Sequence, residues 1–192
     1  LFRANALRCI DNFIDASHFP FVHSGINGRP EAPDTTIDYD VTDSEGELCT
    51  SEFSVVQPDA DARGIQLEVR YRYYCLTPTV AYSDKDTGSN EHWFTWAAVT
   101  PVDRDESRFW LVMCFNHAQA IREEDIQRRQ SRIFEDGDRW IVESQRPVQL
   151  PLGLSPEMHV KSDRLGVAYR KWVYRLGKAS RSSSSEAESE VT

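Results

Sequence analysis

The 192-residue sequence is 40% hydrophobic, enough to bury one sizeable core, so it reads as a single domain. Its formal net charge of -9 and its lack of any Lys/Arg cluster exclude a nucleic-acid partner, because phosphate neutralisation needs concentrated positive charge. No stretch reaches the roughly 18 apolar residues of a spanning helix and no signal-peptide pattern occurs, so a cytoplasmic chain with no membrane partner is expected.

The four cysteines, Cys9, Cys49, Cys75 and Cys114, are scattered. None forms the Cys-x-x-Cys or Cys-x-His pairs that hold zinc or an iron–sulfur cluster, and reduced, mostly buried thiols are expected. The chain opens at Leu1 in sequence that is already patterned, which leads us to expect a further domain upstream.

Within residues 1–18, Leu7, Ile10, Phe13 and Ile14 recur at helical spacing, and Pro20 forbids a regular helix from continuing. The reading is one helix that breaks where the polar residues concentrate. Gly25, Gly28, Pro30 and Pro33 mark a loop, after which Ile37, Tyr39 and Val41 alternate as a half-buried strand. Ser44-Glu45-Gly46 reads as a hairpin turn leading to residues 53–56. From Ile65, the set Ile65, Leu67, Val69, Tyr71 and Tyr73 alternates with Gln66, Glu68, Arg70 and Arg72 as two faces of a strand. Two further aromatic strands are expected at 92–99 and 108–115, joined by an exposed hairpin loop at 101–106, so the middle of the chain reads as an antiparallel meander.

Residues 118–145 are rich in helix formers and read as two helices joined near Gly137, ended by Pro147 and Pro151. Ser162 or Asp163 can cap a last helix running to Gly177, with Leu165, Ala168, Trp172 and Leu176 inward and Arg164, Arg170, Lys171, Arg175 and Lys178 on its solvated side. Residues 179–192 carry too little apolar surface to offset ordering entropy, and a disordered tail behind a domain at 1–178 is expected.

The densest chemistry lies at Asn12, Asp15, His18 and His23. Asp15 and His18 share a helix face, whereas His18 and His23, five apart, would diverge by roughly 140° on an unbroken helix. Pro20 supplies the break that lets both imidazoles reach one ion. Two imidazoles suit iron, zinc, copper or nickel, and a carboxylate completes a set that leaves positions open on iron for oxygen. A ligating imidazole commonly gives its second N–H to a carboxylate, a role open to Asp15. Asn12, one turn earlier, is placed either to approach the metal or to steady Asp15.

This segment resembles the mononuclear-iron motif of Rieske non-haem iron oxygenase large subunits, in which Asn, Asp, His and His recur at the spacing of Asn12, Asp15, His18 and His23. Residues 134–145 look like that family's helix bearing the third ligand, a carboxylate seven residues before a Gln, which in this register is Asp138. Asp136 and Glu135 compete for the role if Gly137 shifts the helix start. Residues 160–172 look like the family's closing helix. The resemblance implies an α+β fold, a curved antiparallel sheet gripping a long C-terminal helix (helix-grip, START/Bet v 1-like), and the strand-then-helix order supports it.

The resemblance further implies ferrous iron on His18, His23 and Asp138 and dioxygen as co-substrate. It implies a homotrimer in which Asp15 links an iron-ligating His to a cluster-ligating His of the neighbouring subunit. The [2Fe-2S] Rieske cluster would come from an absent domain or another chain, fed by a reductase or ferredoxin. The expected substrate is small and aromatic or heteroaromatic, and the expected enzyme is a monooxygenase, demethylase or ring-hydroxylating dioxygenase, inactive as the isolated fragment. Phe13, Phe94, Trp96 and Phe115 are candidates for lining its cavity. Two rivals stay open: a metal-free module binding a hydrophobic ligand, and a hydrolytic zinc enzyme using the same donors.

Overall fold

The computed structural model describes residues 1–33, 37–44, 46–117, 121–153 and 157–189. Helix α1 (Ala6–Phe13) begins where the Asn5 side chain accepts the Leu7 N–H, and it turns Ala6, Cys9, Ile10 and Phe13 onto the core. The chain leaves the helix at Ile14, and a second short helix, α2, spans Phe19–Val22 with Pro20 in its first turn. Pro20 therefore starts a helix rather than breaking one, because a first-turn N–H has no intrahelical acceptor to lose.

Seven antiparallel strands follow: β1 (Val41–Ser44), β2 (Glu47–Thr50), β3 (Phe53–Gln57), β4 (Leu67–Thr77), β5 (Val80–Gly88), β6 (Glu91–Asp103) and β7 (Glu106–Phe115). They form one sheet in the order β1-β2-β4-β5-β6-β7, with β3 paired to β4 beyond the end of β2. Ile37 and Tyr39 are buried but lie before the strand, and Ile65 is exposed ahead of β4. Glu45, the middle of the expected hairpin turn, lies outside the described residues.

Strand β5 was not anticipated, for a physical reason. Its inward residues are Ala81, Ser83, Lys85 and Thr87, so the face that packs inward is mostly polar and the apolar alternation that betrays a strand is missing.

Behind the sheet, α3 (Glu123–Ile133) runs into a π-helical turn (Phe134–Asp138) and then α4 (Arg139–Ser144). Gly137 thus sits inside a continuous helical path rather than at a joint between two helices; residues 118–120 of the expected helical stretch lie outside the described residues. A 3₁₀ turn at Lys161–Asp163 leads to α5 (Arg164–Ser189), where the Asp163 carboxylate accepts the Val160 N–H. α5 continues past Gly177, where the sequence pattern ended it, and takes in 179–189 of the expected disordered tail. A glycine inside a helix costs only about 1 kcal/mol relative to Ala, which does not by itself stop one.

Leu165, Tyr169, Trp172 and Val173 of α5 join α1 and the inward sheet residues Val55, Val69, Tyr73, Cys75, Ala97 and Val99 in one core. The fold is α+β, an antiparallel sheet with helices packed on one face. Arg170, expected on the solvated side of α5, is buried: it pairs with Asp11 at 2.7 Å and with Glu157 at 2.5 Å, and Arg8 reaches Glu157 at 2.6 Å. Mutual pairing is what makes two buried guanidiniums tolerable. Among the described residues no helix is long and apolar enough to cross a membrane.

Candidate metal centre

His18 caps the N-terminal end of α2 and His23 its C-terminal end, so one turn of helix carries both rings to the same side. Their Nε2 atoms lie 3.0 Å apart. The loop after α2 folds back onto it at Gly28, where a Cβ would lie 2.8 Å from Pro20 Cα.

Asp138 enters from the last residue of the π turn. Its Oδ1 lies 3.1 Å from His23 Nε2 and 3.2 Å from His18 Nε2. The wide turn explains the aim: one extra residue per turn rotates Asp138 inward, while Glu135 and Asp136, the competing carboxylates, are exposed. Gly137 lies against His23, where a Cβ would sit 3.0 Å from Cε1 and 3.1 Å from Nδ1.

Asn12 stands on α1 and donates through Nδ2 to Asp138 Oδ1 at 3.0 Å, so it steadies the Asp138 carboxylate rather than Asp15. Asp15 faces the other side of His18, with Oδ2 3.2 Å from Nδ1 and Oδ1 accepting the Ser17 N–H at 2.8 Å. Asp15 also borders a surface depression with Glu157, Met158 and His159, outside the cavity that holds the rings.

Asp15 on one side and Asp138 on the other favour positive charge at His18, which a proton carries when no metal ion is bound. Burial works against a charged His18, but hydrogen bonds to Asp138 and Asp15 outweigh it and push the imidazole up to about 10. Burial likewise opposes charge on Asp138 and Asp15, yet the facing imidazoles hold both carboxyls below the usual range. The same pull acts on any cation placed between the rings. Three donors separated by 3.0–3.2 Å have the spacing of adjacent positions about 90° apart when each bond to an ion is about 2.1 Å. Two imidazoles and one carboxylate on one side therefore fit a single divalent ion with its other positions free.

The cavity in front of the donors is walled by Phe13, Phe19, Tyr71, Tyr73 and Trp93, with Phe134 at its helical side. Of the aromatic candidates, Phe13 lines it. Phe94 and Trp96 do not: along β6 the inward residues are Trp93, Thr95 and Ala97, and Trp96 is exposed, stacked on Tyr82 with centroids 4.7 Å apart. The reason is parity, since Trp93 and Trp96 differ by an odd number and only one can face in. Phe115 shares the face of Trp93, at 4.7 Å, but is partly exposed in a shallow depression with His92 and Phe94. Phe19, Tyr71, Tyr73, Trp93 and Phe134 were not anticipated as wall residues, although Tyr71 and Tyr73 already stood on the apolar face read for β4.

A family model described as the vanillate O-demethylase oxygenase C-terminal domain matches residues 2–179. The chain belongs to this oxygenase-domain family. Membership bears out the resemblance to Rieske oxygenase large subunits. This oxygenase domain is 31% identical over 173 residues to a probable methylxanthine N7-demethylase, NdmC, of Pseudomonas sp. (strain TJI-51), covering 88% of this chain and 61% of the relative. It is 29% identical over 172 residues to the methylxanthine N3-demethylase NdmB of Pseudomonas putida, covering 84% of this chain and 44% of that one. The oxygenase domain therefore spans between under half and about three-fifths of the curated relatives it matches. Among solved structures, NdmA of Pseudomonas putida CBB5 with caffeine superposes with a TM-score of 0.76 at 22% identity, covering 94% of this chain and 51% of that one. NdmB of the same strain gives 0.66 at 24% identity, covering 89% and 46%. These two structures share the fold.

Proposed function

We propose that the chain is the catalytic portion of an oxidative demethylase that holds one ferrous ion on His18, His23 and Asp138. The observation that carries this reading is the convergence of their three donor atoms at 3.0–3.2 Å on the wall of an aromatic cavity. A ferrous ion bound there supplies the open coordination positions and redox chemistry that dioxygen activation requires.

The chain's own residues account for the rest. Asn12 fixes the Asp138 carboxylate, Gly137 leaves room for the His23 ring, and Asp15 holds His18 in the tautomer whose Nε2 faces the metal. The aromatic walls take a flat aromatic or heteroaromatic substrate and exclude water from its methyl group. In the overall reaction two electrons and two protons join dioxygen and the methylated substrate. One oxygen atom leaves as water, the other in formaldehyde, and the substrate heteroatom keeps a hydrogen. The names of the two curated relatives, both methylxanthine demethylases, support this outcome over ring dihydroxylation.

The electrons need a carrier, because the sequence lacks the Cys and His pairs of a Rieske cluster. Asp15 is the point at which they enter: one face of its carboxylate meets His18 and the other meets the surface depression beside the exposed Met158. A cluster-bearing domain of a neighbouring subunit in a trimer, reduced by a ferredoxin or reductase, fits that surface.

Two measurements test the proposal. Iron content after anaerobic ferrous loading should approach one per chain in the parent and fall to background in His18→Ala and His23→Ala; parent-level iron in either variant would refute the ligand assignment. In the full-length protein with its reductase, Asp15→Asn should keep iron yet release no formaldehyde, and normal formaldehyde release would end the electron-path assignment.

A further inference from the structure

The cavity that holds the three ligands also holds a nucleophile that none of the chemistry above uses. Lys85 projects from the inward face of β5, is 5% exposed, and lines the same cavity as His18, His23 and Asp138. It therefore meets only what enters that cavity. Its amine donates to the Ala60 carbonyl and lies 5.3 Å from the centre of the Trp93 ring. Among the described residues Lys85 forms no ion pair. The chain's other lysines, Lys161, Lys171 and Lys178, are all exposed.

The charged groups around Lys85 are engaged with one another. Asp61 accepts from Arg63 Nε at 2.7 Å and lies 3.7 Å from His117 Nε2. Asp59 faces Arg129 Nε at 3.4 Å, and its carbonyl accepts from the same guanidinium at 2.6 Å. The Tyr71 hydroxyl, also in the cavity wall, accepts from Gln57. Arg129 lines the cavity with its side chain 8% exposed and lies 5.9 Å from the Trp93 ring, so two basic side chains share one indole. Burial and the repulsion of Arg129 outweigh the pull of Asp59 and Asp61 and bring the Lys85 amine down to about 7. A lysine enclosed among apolar groups beside a second cation is the arrangement that makes an amine a nucleophile toward carbonyl carbon.

We propose that Lys85 is a covalent capture site for a small aldehyde, in the first place the formaldehyde that demethylation releases into the same cavity. The source of the aldehyde rests on the proposed function, whereas the reactivity of the amine belongs to the cavity alone. The nitrogen lone pair forms a C–N bond to the carbonyl carbon while the C=O π pair moves to oxygen, which takes a proton from nitrogen. The resulting carbinolamine loses its hydroxyl and the remaining N–H proton as water and becomes a methylene imine. No electrons are gained or lost, and water reverses both steps. The imine nitrogen has no N–H left for the Ala60 carbonyl and puts an added carbon into the cavity, so accumulated product restrains turnover until water frees the amine.

The test treats the full chain, metal-free at pH 7, with isotope-labelled formaldehyde and cyanoborohydride, which fixes each imine as a methylamine for peptide mass mapping. An amine titrating near 7 is unprotonated there on the order of a thousandfold more often than an ordinary lysine, an advantage that its lower basicity and the cavity walls partly offset. Lys85 should be methylated at least about tenfold faster than Lys161, Lys171 or Lys178 in the folded chain, and the preference should vanish in urea. No methylation at Lys85, a rate no greater than that of the exposed lysines, or a preference that survives unfolding would overturn the proposal. In the full-length protein turning over a methyl-labelled substrate with its reductase, the same trapping should place the label on Lys85 ahead of the other lysines. Formaldehyde release without that preference would overturn the capture of product. Absence of formaldehyde would instead sink the demethylase reading and leave the selectivity toward added formaldehyde standing.

Discussion

Replacing Gly137 by Ala separates two physical forces that act in opposite directions. In a helical segment, Ala is favoured over Gly by about 1 kcal/mol, so propensity alone predicts a stabler protein. The added methyl, however, would lie 3.0 Å from His23 Cε1, 3.1 Å from Nδ1 and 3.3 Å from a Val22 methyl. These distances are shorter than ordinary contact, and His23 cannot retreat easily because it is buried and its other edge meets His18 and Asp138. Overpacking of this kind costs about 1–3 kcal/mol, enough to cancel or exceed the helical gain. The displaced ring is also a proposed ligand, and disturbing the support of a metal ligand typically lowers affinity about 10–100-fold. Urea unfolding of the metal-free full chain and a chelator competition for ferrous iron read the two effects separately. A Gly137→Ala variant stabilised by about 1 kcal/mol with unchanged iron affinity would refute the argument.

Three other variants probe neighbouring claims. Asn12→Ala removes the amide that holds Asp138 Oδ1 and should weaken ferrous binding about tenfold with little change in the far-ultraviolet spectrum; parent affinity would contradict it. Arg170→Met removes the buried guanidinium that pairs the largely enclosed Asp11 and Glu157 carboxylates and should cost about 3–5 kcal/mol in urea unfolding, whereas a loss below about 1 kcal/mol would show the network to be dispensable. Lys85 titrates near pH 7 when folded and near its ordinary 10.5 when unfolded, so between those values the unfolded chain binds more protons and stability rises with pH. The parent should therefore gain on Lys85→Met by up to about 5 kcal/mol from pH 7 to 10.5, and a stability gap that does not move with pH would contradict the shift.

The convergence of His18 and His23 was legible because imidazoles beside an amide and a carboxylate in an apolar setting have few uses, whereas Asp138 came from the resemblance to the Rieske oxygenase helix, with Asp136 and Glu135 left open until the π turn aimed Asp138 inward. The means of convergence was not legible. Pro20 looked like a helix breaker and is a helix starter, since a proline's effect depends on which turn it occupies and the sequence does not mark the turn. Gly137 looked like a joint and is a clearance for a ring 114 residues earlier in the chain, a contact that no local pattern encodes. The strands rich in apolar residues could be read directly, whereas β5 hid behind the polar inward face that carries Ser83 and Lys85. On β6 the aromatic residues occupy both faces, so periodicity found the strand but could not say whether Trp93 or Trp96 faced in. Arg170 was misplaced because helical spacing shows which residues share a face, while the partners that make burial of a charge possible, Asp11 and Glu157, come from distant segments.

The central claim, one ion held jointly by two imidazoles and a carboxylate, is tested most directly by anomalous diffraction at the iron edge from crystals of the ferrous-loaded chain. A single strong peak is expected about 2.1 Å from His18 Nε2, His23 Nε2 and Asp138 Oδ1. No peak there, or a peak instead at the other cluster of possible donors, Asp61, Glu91 and His117, would contradict it.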